Sequence, residues 1–228
     1  VTGVISSHEV VARTLAGFRA EADGAPTART SADGGSAVGI LTATGCPALG
    51  ITSWASVGAS AFATPLRTPD GRALRVELVA AVDGRLDAFG DAVAACAFEI
   101  DPAIDVRPGT VYSEAVARRY PAATTPHLLS VSPFVWDGEF ASYADDEVHV
   151  TWLQLVPITA DEAALVASRG AQSLEDAFLR TPPDLFALDR ACVLAAARPA
   201  LPPPDSPPHP LSRRTPTSPQ PPATHNPC

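Results

Sequence analysis

Residues 147–170, EVHVTWLQLVPITADEAALVASRG, run a strand straight into a helix with no linker between them. In an extended chain Val148, Val150, Trp152, Gln154 and Val156 point one way and His149, Thr151, Leu153 and Leu155 the other. Both sides carry apolar groups, the pattern of an interior strand covered fully on one face and partly on the other. Pro157, which has no N–H for a ladder, is expected to close the strand. Thr159 then stands at an N-cap, with Glu162 at the reciprocal capping-box position and Ile158 as the hydrophobic anchor before it. Gly170 ends the helix, and Arg169 in its last turn complements the helix dipole.

Outward from this joint the chain alternates period. HLLSVSPFVWDGEF (127–140) begins as a strand from His127 to Val131, is stopped by Pro133, and ends in an aromatic loop. In TPDGRALRVELVAAVDG (68–84) the apolar Leu74, Val76, Leu78 and Ala80 alternate with Arg75, Glu77 and Val79. That predicts a strand with one dry face that presents Arg75 and Glu77 together on the other. RLDAFGDAVAACAFEI (85–100) switches to a helical stripe of Leu86, Phe89, Val93 and Ala97. Near the start, Ser6 and Glu9 have capping-box spacing before a helix expected from His8 to about Ala22. GAPTARTSADGG (24–35) reads as a loop, and SAVGILTAT (36–44) and GITSWASVGASAF (50–62) read as short strands with tight turns. Residues 101–126 are expected to be irregular apart from a short strand around Val111. AQSLEDAFLR (171–180) supplies a second short helix ended by Pro182 and Pro183, followed by a last short element carrying Leu185, Leu188 and Val193.

The final 30 residues, 199–228, hold 12 prolines and cannot build a core, so they are expected to be a disordered tail behind a domain of residues 1–198. The net charge is −9, and all 16 cationic side chains are arginine, a bias that points to a GC-rich bacterial genome more than to a binding chemistry. The chain begins at Val1 and has no methionine, which fits either a GTG start or a missing N-terminal piece. Between Arg119 and Arg169 no cation occurs, while Asp137, Glu139, Asp145, Asp146, Glu147, Asp161 and Glu162 all do. A field of one sign repels a phosphate backbone and attracts a basic protein surface, so nucleic acid is excluded as a direct ligand and a basic protein fits. Cys46, Cys96, Cys192 and Cys228 are scattered without zinc or CxxC spacing, and no apolar run is long enough for a membrane span. A cytoplasmic protein with reduced thiols is the simplest account.

Catalytic patterns are scarce. There is no glycine-rich nucleotide loop, no lysine for a Walker motif and no GxSxG elbow, and nothing calls for a cofactor. His127 and His149, with acids close in sequence, could assemble a metal-dependent or hydrolytic site only if their strands brought them to a common point. The aromatic residues Phe134, Trp136, Phe140 and Tyr143 gather beside Asp137, Glu139, Asp145, Asp146 and Glu147. An aromatic cluster with a charged rim is a protein anchor, and the competing reading packs Phe134 and Trp136 back onto the sheet. The candidate contact residues are Phe134, Trp136, Asp137, Glu139, Tyr143, Asp145, Asp146 and Glu147; Trp152, inside a strand, reads as core.

The pieces GITSWASVGAS (50–60), RVELVAA (75–81), HLLSVSPFVWD (127–137) and VHVTWLQLVPITADEAALVASRG (148–170), followed by LEDAFLR, together resemble the suppressor-of-fused domain in its bacterial single-domain form. The resemblance spans roughly Glu9 to Val193. It implies an α+β fold, a mixed β-sheet flanked by helices in a single globular domain, and a non-enzymatic protein-binding role. Bacterial relatives are thought to include immunity proteins that neutralise toxins of polymorphic systems, so the partner expected is a basic toxin domain. The animal mechanism, which clamps a peptide between two domains, does not transfer to one domain. A regulatory scaffold that uses the proline-rich tail is the remaining alternative.

Overall fold

The computed structural model describes residues 5–195; the proline-rich segment and the expectation of a disordered tail lie outside them. Within that range the strand of the opening stretch is β8 (Val148–Ile158), near the middle of an eight-stranded sheet. β4 (Ala73–Asp83) lies parallel beside it, with Ala73 opposite Val148 and Ala80 opposite Leu155. The other pairings are antiparallel, which makes the sheet mixed. Outward from β4 follow β3 (Ile51–Val57), β2 (Ala37–Thr44) and β1 (Thr27–Thr30); outward from β8 follow β6 (His127–Val131) and β5 (Val111–Tyr112).

Helices cover both faces. α2 (Phe89–Phe98) sets Phe89, Val93, Cys96 and Ala97 against Ile40, Trp54, Leu78 and Leu155. α1 (Ser7–Phe18) sets Val10 and Phe18 against Leu41, Val79, Val150 and Trp152. α3 (Ala160–Arg169) and α4 (Ala171–Arg180) bring Val166, Leu174 and Ala177 to Leu129, Val156 and Ile158. Val150, Trp152 and Val156 share one parity along β8, so α1 and the α3–α4 pair lie on one face and α2 on the opposite one. Each fully buried Leu, Ile or Phe in these clusters contributes about 1.5–3 kcal/mol relative to exposure.

The joint at the end of β8 folds as its residues dictate. The Thr159 side chain accepts from the Glu162 N–H, and the Glu162 carboxylate accepts from the Thr159 N–H, completing the capping box. Pro157 does not close the strand, because β8 continues to Ile158 with Pro157 opposite Leu128. The register with β4 ends at Leu155, so by Pro157 the strand has a neighbour on one side only, where a missing N–H is tolerated.

Four further expectations need correction. From Val76 to Val82 β4 is dry on both faces, with Val79 and Glu77 completely buried between helices above and below, while Arg75 at its start stays half-buried. The first helix stops at Phe18 and not near Ala22, because Arg19 turns left-handed (φ 52°) and its N–H closes onto Ala16 and Leu15 carbonyls. The expected loop at 24–35 contains β1, which pairs Ala28 with Gly39 at the sheet edge. That strand is exposed or half-buried throughout, so no hydrophobic alternation marks it. Residues 181–194 form no helix or strand, yet Leu188 and Val193 are buried.

Candidate functional site

β8 has two partners on the edge away from β4. β6 pairs with Gln154 to Ile158, ending at Val131 opposite Gln154, and the two-residue β7 (Tyr143–Ala144) pairs with Val150 and His149. The chain between them, 132–142, therefore leaves the sheet edge, crosses the face carrying α1 and returns. This excursion is the aromatic and acidic loop singled out in the sequence.

Its middle is anchored in the core. Trp136 is 6 % exposed, stacks on Phe18 with ring centres 5.1 Å apart, and donates its indole N–H to Ser53 Oγ at 2.8 Å. Phe140 meets Trp136 edge-on at 5.3 Å and Phe18 at 5.7 Å. Two glycines let the loop lie flat on α1. A Cβ at Gly138 would overlap the carbonyl groups of Ala16 and Gly17, and a Cβ at Gly17 would strike the Phe140 ring. The returning arm is clamped by Arg13 of α1, which donates to the carbonyls of Ala141 (3.2 Å) and Ser142 (2.9 Å) and lies 5.7 Å from the Tyr143 ring centre. Glu9, one turn earlier, holds Arg13 by a 2.7 Å ion pair.

The eight candidate residues divide by position. Trp136 is a core residue and offers the surface nothing, because its ring is enclosed and its one donor is satisfied. Phe134 is 57 % exposed, and Asp137 and Glu139 are exposed around a depression of about 540 Å³ beside Thr151 and Leu153. Tyr143 is half-buried under Arg13. Asp145 shapes the β7–β8 turn, where its Oδ1 accepts from the N–H groups of Glu147 (2.8 Å) and Val148 (2.7 Å). Those backbone donors hold its carboxyl below the ordinary value, with smaller help from Tyr143 and Arg72. Asp146 and Glu147 are exposed at the same turn, roughly 15 Å along β8 from Asp137 and Glu139.

The stretch without arginine in sequence is not without arginine in space. Asp146 and Glu147 line a depression of about 530 Å³ together with Arg67, Arg72 and Arg75, and Arg72 also donates to the Asp145 carbonyl. The charge at the turn is thus partly countered, whereas among the described residues no cation lines the depression at Asp137 and Glu139. Arg13 and Arg72 leave no trace in the loop's own sequence, because each reaches it from more than 70 residues away.

The two histidines are not brought together. His127 lies opposite Ile158 and His149 opposite Ala144, nine residues apart along β8 or roughly 30 Å. His127 Nδ1 accepts the Glu114 N–H at 3.0 Å, and among the described residues no group of three or more His, Cys, Asp or Glu side chains could hold a metal ion. The expectation of a metal or hydrolytic site on this pair fails on that separation. No helix among the described residues is long and apolar enough to cross a membrane.

Two buried carboxylates have partners that the sequence pattern does not show. Glu77, completely buried, accepts from the N–H groups of Gly58, Ala59 and Ser60 and from the Ser56 and Ser60 hydroxyls; burial still pushes its carboxyl above the usual range. Glu162, also completely buried, is gripped at both oxygens by Arg190, at 2.8 and 2.7 Å, and by the Val193 N–H at 3.1 Å. Burial opposes its ionisation, but Arg190 and the Thr159 and Val193 N–H groups outweigh burial and hold it below the ordinary value.

A family model described as "Suppressor of fused protein (SUFU)" matches residues 34–191, most of the sheet and the α2, α3 and α4 helices. The chain belongs to the suppressor-of-fused family. Immunity protein YqcF of Bacillus subtilis (strain 168) is 27% identical over 195 residues, 84% of this chain and 100% of that protein. Two solved suppressor-of-fused structures share the fold. A homologue from Neisseria gonorrhoeae FA 1090 superposes with a TM-score of 0.53 at 16% identity, over 82% of this chain and 96% of its own. The Sufu–Fu complex gives 0.58 at 12% identity, over 84% and 93%.

Proposed function

We propose that this suppressor-of-fused protein is a non-enzymatic binding protein of the immunity type, which neutralises a toxin by covering a basic surface of it. The observation that carries the reading is the outer rim of the 132–142 loop. Phe134 stands exposed beside Asp137 and Glu139, on a backbone fixed by Trp136 below and by the Phe134 N–H bond to Gln154 Oε1 at 3.0 Å. An apolar anchor on a rigid support with uncountered carboxylates around it loses little freedom on binding and steers a cationic partner. Asp146 and Glu147 extend the surface, with Tyr143 and Asp145 supporting them. The similarity to YqcF along that protein's whole length supports the same role.

The test pairs the chain with the toxin domain encoded nearest to its gene. Co-expression should protect cells from that toxin, and the purified complex should weaken steeply with salt. Asp137→Lys with Glu139→Lys, and separately Asp146→Lys with Glu147→Lys, should each lower affinity and flatten the salt dependence. Absence of both protection and complex would overturn the assignment; a complex indifferent to either pair would remove that pair from the interface.

A further inference from the structure

Beside the loop lies a groove of about 580 Å³ that the acidic rim does not include. Its floor is Leu129, Val131 and Val156, and α4 walls one side with Leu174 and Phe178. Pro182, Pro183 and Leu185 close the other side. Resting on the binding role just proposed, we infer that this groove receives an apolar segment of the protein partner flanked by arginine or lysine side chains.

Three observations point to that occupant. Four large hydrophobic side chains are exposed among the described residues, and two of them, Phe134 at 57 % and Leu179 at 80 %, stand on this groove. These two carry the apolar lining of the groove out to the surface, where contact with a partner would remove it from water. The polar groups lining it are few: Ser132, Glu175 and backbone atoms, so little converges to orient a small polar ligand, whereas a peptide needs chiefly apolar contact and correct flanks. The charges set those flanks. Among the described residues Glu175 is the one ionisable side chain on the groove, and the adjoining depression, which shares Pro108 and Ser132 with it, carries Asp137 and Glu139 and no cation. Positive charge on the partner is favoured beside these carboxylates, and an acidic segment is repelled.

The groove is also held ready. Gln154 fixes the backbone at Phe134, and the Arg190–Glu162 pair together with the Val193 N–H bond anchors the segment that follows Leu185. A groove shaped in advance loses little on binding.

The full chain is titrated into a fluorescein-labelled peptide whose leucines fall at helical spacing among arginines. Two control peptides keep the length, with every leucine replaced by serine in one and every arginine by glutamate in the other. Fluorescence anisotropy should saturate with the first peptide and bind each control at least tenfold more weakly. Leu179→Asp should lower affinity for the first peptide tenfold or more. Glu175→Arg should narrow the preference for the arginine peptide over the glutamate one. Leu179 is mostly exposed, so its replacement leaves folding intact; Phe134→Ser gives an independent check, and near-native thermal melting confirms both. Equal binding of the serine peptide, or binding indifferent to both Leu179→Asp and Phe134→Ser, would overturn the inference. So would concentration-dependent self-association in sedimentation that Leu179→Asp abolishes, which would make a second copy the occupant. A toxin complex lost on reversal of Asp137 and Glu139 but unchanged by Leu179→Asp overturns the groove and leaves the binding role standing; selective peptide binding without any toxin complex does the reverse.

Discussion

Arg190→Met breaks the ion pair that ties the last described segment to the start of α3, and with it the guanidinium bonds to the Pro157 and Ala191 carbonyls. Arg190 and Glu162 are 5 % and 0 % exposed as side chains, so solvent does not screen their attraction. Met keeps most of the side-chain length but strands a carboxylate that retains only the Thr159 and Val193 N–H donors. Breaking a buried pair from one side costs about 3–5 kcal/mol, because the remaining charge is left without its partner. For a domain of this size that lowers the melting temperature by roughly 6–20 °C. The pH dependence gives a sharper check. In the wild type the folded pKa of Glu162 is depressed, so its contribution is present above the unfolded value of about 4.3 and is lost as pH falls through the folded pKa. In Arg190→Met burial acts with less opposition and raises that pKa, so protonation favours the variant's folded state. The stability gap in urea titrations should therefore be widest near pH 7 and shrink on the acid side. Adding Glu162→Gln to the variant should recover part of the loss at pH 7, since no charge is then stranded. A cost under about 1 kcal/mol, well below the range for a broken buried pair, or a gap that does not change with pH, would refute this account.

Other outcomes follow from the same geometry. Gly138→Ala should destabilise by about 1–3 kcal/mol and loosen the loop, read as faster hydrogen exchange at residues 134–142, because the added methyl meets two carbonyls of α1. Trp136→Phe should cost about 1–3 kcal/mol in chemical denaturation, since it leaves a cavity and removes the donor to Ser53 Oγ. Glu77→Gln tests the opposite pH sign. With a raised folded pKa, Glu77 contributes most below its unfolded value and loses that contribution as pH rises through the folded one, so the wild type should lose stability relative to the variant across that rise. Arg13→Ala should release the β7 arm, seen as protease cleavage near Ser142 at concentrations that spare the wild type.

Much of the architecture is legible in the sequence because its signals are local. The alternation from Val148 to Val156 and the Thr159–Glu162 spacing lie within a dozen or so residues, and strand, cap and helix stand where those residues place them. β1 is illegible for the converse reason: an exposed edge strand needs no apolar face, so Thr27 to Thr30 look like the turn that follows them. Glu162 shows a local signal hiding a distant one. Its capping role is written three residues away, but its cation arrives 28 residues later from a segment with no periodicity. At the candidate site the clustering of Phe134, Asp137 and Glu139 is legible, while the burial of Trp136 depends on Ser53 and Phe18, which only the folded sheet brings beneath it. Leu179 gives no sign of itself, since a leucine on an amphipathic helix looks the same whether it faces a core or water.

The manner in which β8 shares one edge between β6 and β7 bears on how such a protein could diversify. Residues 132–142 begin and end at ladder pairs to the same strand, Val131 with Gln154 and Tyr143 with Val150, so the register is fixed on both sides. A different residue at the outward positions Phe134, Asp137 or Glu139 changes what the outer rim presents, while Trp136, Gly138 and Phe140 keep the loop seated on α1. Those outward positions vary within a constant frame, and transplanting them between relatives that keep the residues under Trp136 tests whether they carry partner preference.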